Sequence, residues 1–385
     1  MYVHRPKLEE RLIDAIESSK YIVIHGESGN GKTWLYKRVF SANDIHYDIV
    51  NLAQVVVTGS LHLAFSEKLG DMGYSQVTVQ ETNTTVGFKP IADHAMKTTQ
   101  VFPAKSAFIA LLERIKTRAH GKKAVLVLDN FESIISDEAA LKQLGALIIS
   151  ADEEAVAKHE VQVVIVGVPG NLKETITRLN NAGPIANRLT ELPEVARMTE
   201  NEAIDLIKRG FEHLELVIDV GVAKELYGEI SWRTDRIAQH IHELCLIVAQ
   251  NAIRNGGVID TVVLEKATAT WIDDSLSSDL AVIESAMNAR DTRAGRKNQV
   301  LYAMGQCKTE DFKYSDIEAL VRGEFSVGPA TLNVSAILSG FGGSENPIVR
   351  RTPKQDAWRF VSPKLKMAIR AKLQKGADEK VFLRN

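Results

Sequence analysis

The chain has 385 residues, which is enough for two or three domains with a sizeable core in each. Hydrophobic residues make up 45% and charged residues 25%, which excludes a disordered or collagen-like chain. The net charge of −2 gives no indication that the chain as a whole binds a polyanion.

The cysteine content and the apolar runs bear on the compartment. Two cysteines, Cys245 and Cys307, cannot build a disulfide framework and lack zinc-site spacing, which favours a reducing compartment. The amino terminus is polar and no apolar stretch is long enough for a helix that crosses a membrane. We therefore expect a cytoplasmic protein with neither a secretory signal nor a membrane partner.

A glycine-rich loop near the amino terminus is the most specific pattern in the sequence. Pro6 opens an amphipathic helix, and the apolar run at 21–24 predicts a buried strand that stops before Gly26. Residues 26–33 read Gly-Glu-Ser-Gly-Asn-Gly-Lys-Thr and fill every fixed position of the Gly-x4-Gly-Lys-Ser/Thr phosphate loop. We predict a nucleotide site at this loop.

The residue types in the loop suit a triphosphate and its metal ion. Glycines allow close approach of the backbone, so that successive amides converge on phosphate oxygens. Lys32, near the start of a helix, would supply positive charge to the β- and γ-phosphates, and Thr33 would offer a hydroxyl to Mg²⁺. The predicted nucleotide contacts are Gly26, Glu27, Ser28, Gly29, Asn30, Gly31, Lys32, Thr33 and Trp34. ATP is favoured over GTP because the chain has no Asn-Lys-x-Asp guanine-reading segment.

A second apolar run ends in the acidic residue that such a site needs. Residues 124–129 predict a central parallel strand with Asp129 at its carboxyl edge, where it can hold Mg²⁺ through a water. The alternative is an ordinary Asp turn. Asn130 follows and is neutral, so it cannot act as a base, and Glu132 is the nearest carboxylate for that role. This pattern leaves slow hydrolysis open, with the protein acting as a nucleotide-gated switch.

Residues 75–103 differ in composition from the segments on either side. They are rich in Thr and Val with local alternation, and Gly87 and Pro90 are turn formers, which predicts a protruding β-hairpin inserted in the core. Two interpretations stay open: a contact element for a neighbouring subunit or partner, and a surface decoration.

After a third apolar run at 161–168, the pattern changes to helices alone. That run contains no polar residue of the kind that senses the γ-phosphate, and Asn171 is only a weak candidate. Residues 199–202 form a capping box, and Arg233 and Arg236 open a long amphipathic helix. We predict a helical lid over residues 198–272.

In this order, the phosphate loop, the Asp129-Asn130 strand end, Arg188 and the lid arginines resemble the AAA+ and STAND ATPases. Residues 126–132 are similar to bacterial STAND regulators. The resemblance covers about residues 1–270. It implies an α/β fold, with a P-loop αβα core and parallel sheet over residues 1–197 followed by the helical lid.

The same resemblance implies roles for three arginines. Arg5, within His4-Arg5-Pro6, would lie on the adenine side of the nucleotide. Arg188 would be an arginine finger that reaches a neighbour's γ-phosphate, and Arg236 would be a sensor in the lid, since an arginine stays charged and offers a planar fork of donors. For Arg188 and Arg236 a surface ion pair remains the alternative.

The carboxy-terminal quarter is basic. Residues 290–385 contain 18 Lys or Arg and 10 Asp or Glu, and residues 346–375 contain nine Lys or Arg against one acid. Three predicted helices and a hairpin resemble a winged helix over residues 273–385. A basic wing would neutralise phosphates, but the predicted reading helix, 332–338, has few base-reading side chains. DNA contact and protein docking or oligomer packing therefore both stay open.

The sequence thus predicts a protein that binds ATP with Mg²⁺, hydrolyses it, and changes conformation or assembly with nucleotide state. Homo-oligomerisation through the ATPase core follows if Arg188 acts on a neighbour. One alternative is a DNA-handling ATPase, initiator-like or transposition-regulator-like, that binds DNA through the basic winged helix. The other is a non-hydrolysing, nucleotide-dependent scaffold in a defence or signalling system.

Overall fold

The computed structural model describes residues 2–79, 85–90, 106–167, 185, 187–218, 221–288, 295–328, 331–352 and 356–383. The chain divides into two compact units, Tyr2–Ala196 and Arg197–Asn385. The segments predicted as a lid and as a carboxy-terminal module both belong to the second unit. None of the described helices has the length and apolar character needed to cross a membrane.

The first unit alternates strands and helices. Its strands are β1 (Tyr21–His25), β2 (His46–Asn51), β3 (Tyr74–Val79), β4 (Thr85–Pro90), β5 (Ala124–Asp129), β6 (Val161–Gly167) and β7 (Leu189–Glu191). Its described α-helices are α1 (Pro6–Ser18), α2 (Lys32–Ala42), α3 (Ala53–Thr58), α4 (Leu61–Asp71), α5 (Ala107–Arg118), α6 (Glu138–Ile149) and α7 (Glu154–Ala157). A short 3-10 helix, Phe131–Ile134, follows β5.

Five of these strands form one parallel sheet in the order β2-β5-β6-β1-β7. The central strands are nearly all Val, Ile and Leu because helices cover both faces of the sheet. Val23 packs into the core on one face, and its neighbours Ile22 and Ile24 pack into the core on the other, as the two-residue period of a strand requires. Because the five strands run parallel, their carboxyl ends lie at the same edge of the sheet.

The hairpin β3–β4 pairs apart from this sheet. Its two strands are antiparallel, with register from Tyr74 opposite Pro90 to Val79 opposite Thr85. The rest of the predicted insertion at 75–103 lies outside the described residues, as do Val168, Pro169, Gly170 and Asn171 at the end of the third apolar run.

The second unit is mainly helical. Its described helices are α8 (Glu200–His213), α9 (Ala223–Arg233), α10 (Ala238–Arg254), α11 (Thr261–Ser275), α12 (Ser277–Ala286), α13 (Arg296–Gln306), α14 (Tyr314–Glu324), α15 (Val334–Gly342) and α16 (Pro363–Lys372). The strand pairs are β8 (Val217–Ile218) with β9 (Val258–Ile259), β10 (Val349–Arg351) with β11 (Trp358–Phe360), and β12 (Leu373–Lys375) with β13 (Val381–Leu383).

Two predicted helix starts in this unit have different outcomes. The capping box is confirmed: the Thr199 hydroxyl accepts from the amide of Glu202, and Glu202 Oε2 accepts from the amide of Thr199 at 2.7 Å. The start at Arg233 and Arg236 is wrong, because Arg233 ends α9 and α10 begins only at Ala238. Arg236 has φ of 59°, and a left-handed residue cannot continue a right-handed helix.

Four charged side chains, Arg197, Asp235, Lys366 and Arg370, meet inside the second unit, and we call them the Asp235 cluster. The Asp235 side chain is only 1% exposed. Its Oδ1 accepts from Arg370 Nη1 at 2.8 Å and lies 3.2 Å from Lys366 Nζ, while Arg197 pairs with Oδ2. Since Lys366 and Arg370 belong to α16, the cluster ties that helix to the turn between α9 and α10.

Candidate functional site

The candidate site lies where strands β1, β2, β5 and β6 end. The phosphate loop, residues 26–33, leaves β1 and leads directly into α2. Asn51 ends β2 opposite Asp129, which ends β5, and Gly167 ends β6. Parallel pairing thus assembles groups that are far apart in sequence at one edge of the sheet, where open α/β sheets bind their ligands.

The backbone of Val195 packs against the phosphate loop and holds it in place. The Asn30 side chain, which is buried, donates from Nδ2 to the Val195 carbonyl at 3.0 Å. A Cβ on Gly26 would lie 2.4 Å from that same carbonyl oxygen, so only glycine fits here. Gly29 and Gly31 have φ of 82° and 93°, in the left-handed region that favours glycine. The loop's glycines are therefore required by its shape.

Lys32 begins α2 and turns back over the loop. Its Nζ donates to the carbonyls of Gly26 at 2.7 Å and Glu27 at 3.1 Å. Burial lowers the pKa of Lys32 from its ordinary value, and the nearby charges of Glu132, Asp129 and Glu27 oppose that shift. The ammonium group is thus partly desolvated and held by backbone dipoles, a state in which a phosphate would be a stronger partner.

Asp129 is held in place by two donors. Its Oδ1 accepts from the amide of Asn130 at 2.9 Å, and its Oδ2 accepts from the Tyr36 hydroxyl at 3.2 Å. Asn130 has φ of 60°, and its Nδ2 donates to Asn51 Oδ1 at 2.9 Å. The Asn130 side chain is therefore bound to the end of the neighbouring strand.

Glu132 lies in the 3-10 helix after β5, beside the end of β6. Its Oε2 is buried and has no hydrogen-bond partner within the described part of the chain. A Cβ on Gly167 would lie 3.4 Å from this oxygen, which places the carboxylate against the carboxyl end of β6. Burying a carboxylate oxygen without a partner is costly, so this atom is suited to a donor from outside the described residues.

Arg5 and the other predicted contacts differ in what they touch. Arg5 is buried and its Nη1 donates to the carbonyls of Ala196 at 3.0 Å and Asn30 at 3.4 Å, so it braces the loop from the side of α1. Ser28 is exposed, and Trp34 is 52% exposed on α2. These two side chains lie on the open side of the loop.

The two predicted trans-acting or lid arginines have partners of their own in the single chain. Arg188 forms a surface ion pair with Asp152, with Nη2 2.6 Å and Nε 2.8 Å from Oδ2. Arg236 belongs to the second unit, where its Nη2 donates to the Lys308 carbonyl at 3.4 Å. Their roles as finger and sensor stay predictions.

The residues present fit a triphosphate and a divalent cation. The first amides of α2 have no intrahelical acceptor, as at any helix start, and the glycine positions leave the loop backbone open to phosphate oxygens. Thr33 and Asp129 supply the hydroxyl and carboxylate oxygens that Mg²⁺ prefers. Lys32 and the buried Glu132 Oε2, which has no partner in the part of the chain that the structure describes, complete a site with both a cation and an acceptor.

Sequence reasoning missed three parts of this site. Asn51 had a usable signal, since it is a polar residue that directly follows the apolar Ile49 and Val50, as Asp129 follows an apolar run. Tyr36 lies three residues after Thr33 and therefore on the same face of α2, so helical spacing indicates it too. Val195 has no such signal, because its contact with Gly26 depends on how distant segments pack.

Residues 16–176 match the AAA domain family. The fold is similar to that of a Walker-type ATPase of Pyrococcus abyssi over 96% of each chain, with a TM-score of 0.54 and 12% identity. It is also similar to the ADP form of the Aeropyrum pernix ORC2 protein, over 96% of this chain and 93% of that chain, with a TM-score of 0.50 and 14% identity. At these identities the similarity concerns the fold. The sequence matches no curated protein.

Proposed function

We propose that this chain, whose residues 16–176 match the AAA domain family and whose fold is similar to that of a Walker-type ATPase, binds ATP with Mg²⁺, hydrolyses it slowly, and changes conformation or assembly with nucleotide state. The observation that carries the proposal is that Lys32, Asp129 and Glu132 lie together at the carboxyl edge of the sheet, with no hydrogen-bond partner for Glu132 Oε2 among the described residues.

Each residue has a role in this proposal. The loop amides and Lys32 bind the phosphates, and Thr33 and Asp129 hold the metal ion. When bound, Mg²⁺ draws charge from the phosphate oxygens. Glu132 accepts the proton of the attacking water, because Asn130 is neutral and its side-chain amide is bonded to Asn51.

Replacement of Lys32 tests the nucleotide site directly. Lys32→Ala removes the charge that contacts the phosphates, and we expect ATP affinity or turnover to fall at least about a hundredfold. Lys37→Ala, on the exposed side of the same helix, is the control and should behave as wild type. Undiminished turnover in Lys32→Ala would refute the proposal.

The displaced catalytic carboxylate bears on the rate of hydrolysis. In place of an acid directly after Asp129 the chain has Asn130, and the nearest carboxylate is two residues further on. This supports a slow switch, and it also keeps the alternative of a non-hydrolysing scaffold in a defence or signalling system. Phosphate release measured with and without candidate partners separates the two, since sustained intrinsic turnover counts against the scaffold.

Oligomerisation belongs to the proposal through Arg188. Its ion pair with Asp152 lies at the surface, with side chains that are 28% and 55% exposed, and surface ion pairs are weak enough to exchange for a neighbour's phosphate. Molecular size measured with a slowly hydrolysed ATP analogue should exceed that without nucleotide. Arg188→Ala should lower turnover in the assembled state about a thousandfold while leaving the single-chain ATP affinity unchanged. Equal turnover would exclude a finger role for this residue.

DNA contact through the carboxy-terminal unit is the second candidate. Arg350 and Arg351 are exposed on β10, and Arg351 stacks over the Trp358 ring at 4.6 Å, which supports a polyanion surface on this hairpin. Against it, Lys366 and Arg370 are buried with Asp235, and Arg359 pairs with Asp311. Fewer cationic side chains are therefore available to contact phosphates than the number of Lys and Arg residues in this segment indicates.

A salt series on the full chain tests this second candidate. Each phosphate contact that is lost should lower the slope of log affinity against log salt by about one. Removal of both charges, by Arg350→Ala with Arg351→Ala, should therefore lower the slope by about two. If the wild-type chain does not bind duplex DNA at low salt, DNA contact is excluded. Protein docking or oligomer packing then becomes the favoured role of the carboxy-terminal unit.

A further inference from the structure

Tyr36 contacts both residues that are proposed to hold the metal ion. It lies on α2 one turn after Thr33, and its hydroxyl donates to Asp129 Oδ2 at 3.2 Å. The Thr33 side chain lies within hydrogen-bonding reach of the same hydroxyl. The phenol oxygen therefore lies between the first turn of α2 and the end of β5.

The ring of Tyr36 is held firmly. The residue is fully buried, and its ring packs on Phe40 with centroids 5.6 Å apart and on Tyr47 at 6.1 Å, edge to face. A tyrosine packed in this way has no second rotamer that keeps its hydroxyl within reach of β5. The hydroxyl is thus a fixed donor.

A fixed donor matters because a carboxylate rotates easily about its last bond. Asp129 Oδ1 is oriented by the amide of Asn130, and Oδ2 is oriented by Tyr36. Each carboxylate oxygen can accept a further bond, so this orientation leaves room for a metal-bound water on either oxygen. Without the hydroxyl, the Asn130 amide would be the remaining hydrogen-bond donor to this carboxylate among the described residues.

We infer that Tyr36 is a positioning residue for the metal ion, whose hydroxyl orients the Asp129 carboxylate toward a divalent cation bound beside Thr33. The inference rests on the proposed nucleotide function. Partners that orient a metal-binding side chain typically change metal affinity ten- to a hundredfold. A tyrosine that only filled the core would change overall stability and leave the metal dependence as it was.

Tyr36→Phe is the matched test because it keeps the ring and removes only the hydroxyl. The quantity measured is the ratio of ATP affinities with Mg²⁺ and with a chelator, obtained by calorimetry on the full chain. We expect the ratio to fall about tenfold, with the Mg²⁺-free affinity unchanged. The Mg²⁺ concentration that gives half-maximal turnover should rise by a similar factor.

Tyr47→Phe is the control, since Tyr47 packs on the same rings and no hydrogen bond joins its hydroxyl to Thr33 or Asp129 within the described residues. Its ratio should equal that of wild type. Suppose that wild type binds ATP in a Mg²⁺-dependent way while the ratio of ATP affinities in Tyr36→Phe equals that of wild type. That result overturns the inference about Tyr36 and leaves the proposed function standing. If wild type shows no Mg²⁺-dependent binding, both the proposed function and the inference are overturned.

Discussion

The phosphate-loop site and the Asp235 cluster both contain charged side chains out of water, but they differ in what neutralises the charge. At the loop, Lys32 is held by backbone carbonyls, and Glu132 has a buried oxygen without a partner in the described chain. In the cluster, Asp235 is in contact with two arginines and a lysine. The first arrangement has capacity for a ligand, whereas in the second the buried cations pair with a carboxylate of the chain, although Lys366 Nζ makes an ion pair there and no hydrogen bond among the described residues.

The pairing in the Asp235 cluster affects how much positive charge the basic carboxy-terminal segment can offer to a ligand. The segment 346–375 has nine Lys or Arg against one acid, yet Lys366 and Arg370 face Asp235, and Arg359 faces Asp311. Those carboxylates lie outside the segment, at 235 and 311, so a count over the segment alone overstates its free positive charge.

The largest effect is expected where the cluster loses its only aspartate. Asp235→Asn leaves three cations without their common partner, and we expect the free energy of unfolding to fall by about 3–5 kcal/mol. Denaturant unfolding checks this. Asp205→Asn, which breaks an exposed pair with Arg209, is the control and should cost under about 1 kcal/mol. Equal losses in the two variants would show that the cluster stabilises no more than a surface pair.

The cluster also predicts the response to acid. Burial acts to raise the pKa of Asp235, but Lys366, Arg370 and Arg197 outweigh it and hold the pKa below its ordinary value. Because the folded pKa is depressed, the stabilisation is present above the unfolded value of about 4 and is lost as pH falls through the folded pKa. Unfolding followed from pH 5 downward should show a larger loss of stability in wild type than in Asp235→Asn, since other carboxyls with a lowered pKa, such as Glu243, are common to both proteins.

At the loop, Glu132→Gln tests the role assigned to the unpartnered carboxylate. We expect turnover to fall at least about a hundredfold, which corresponds to roughly 2.7 kcal/mol, with ATP affinity little changed. Single-turnover phosphate release and equilibrium binding measure the two quantities separately. Glu138→Gln, an exposed change on α6, is the control. If Glu132→Gln has the turnover of wild type, a group other than Glu132 accepts the proton of the attacking water.

Gly26→Ala probes the packing under the loop. The new Cβ would lie 2.4 Å from the Val195 carbonyl oxygen, a backbone atom that cannot move aside alone, and we expect a loss of about 2 kcal/mol in unfolding free energy. Thermal or denaturant unfolding is the measurement. Gly70→Ala is the control, since nothing lies within 4 Å of its added Cβ, and it should be neutral or slightly stabilising. A neutral Gly26→Ala would contradict the close approach of Val195.

The smallest effect is expected for Lys366→Met. Burial lowers the pKa of Lys366 to about 8, below the unfolded value of about 10.4. Between these values the unfolded state binds more protons, so the lysine makes wild-type stability rise with pH in that window. Lys366→Met should remove this rise and leave the stability at pH 7 unchanged or higher by about 1 kcal/mol, because two arginines still contact Asp235.

Unfolding curves at pH 7 and at pH 9.5 supply the measurement for Lys366→Met. Lys297→Met, on the exposed side of α13, should keep the wild-type pH dependence. A wild-type curve that is flat between the two pH values would contradict the depressed pKa.

The amino-acid sequence by itself determined the parts of this protein that depend on neighbouring residues. The eight residues 26–33 specify a loop shape and a chemistry together, and the apolar runs at 21–24 and 124–129 predict a buried strand and a central parallel strand. The cap at Thr199 is local in the same sense. Such features are readable because backbone angles, side-chain period and capping bonds act over a few residues.

Only the tertiary structure decided which distant groups meet. It brought Tyr36 to Asp129, Asn51 to Asn130 and the Val195 carbonyl under Gly26. It also assigned the cations of α16 to Asp235, more than a hundred residues earlier in the chain. The physical reason is that a side chain's partner is set by sheet order and helix packing, which depend on the whole core and leave no periodic signal at the residues concerned.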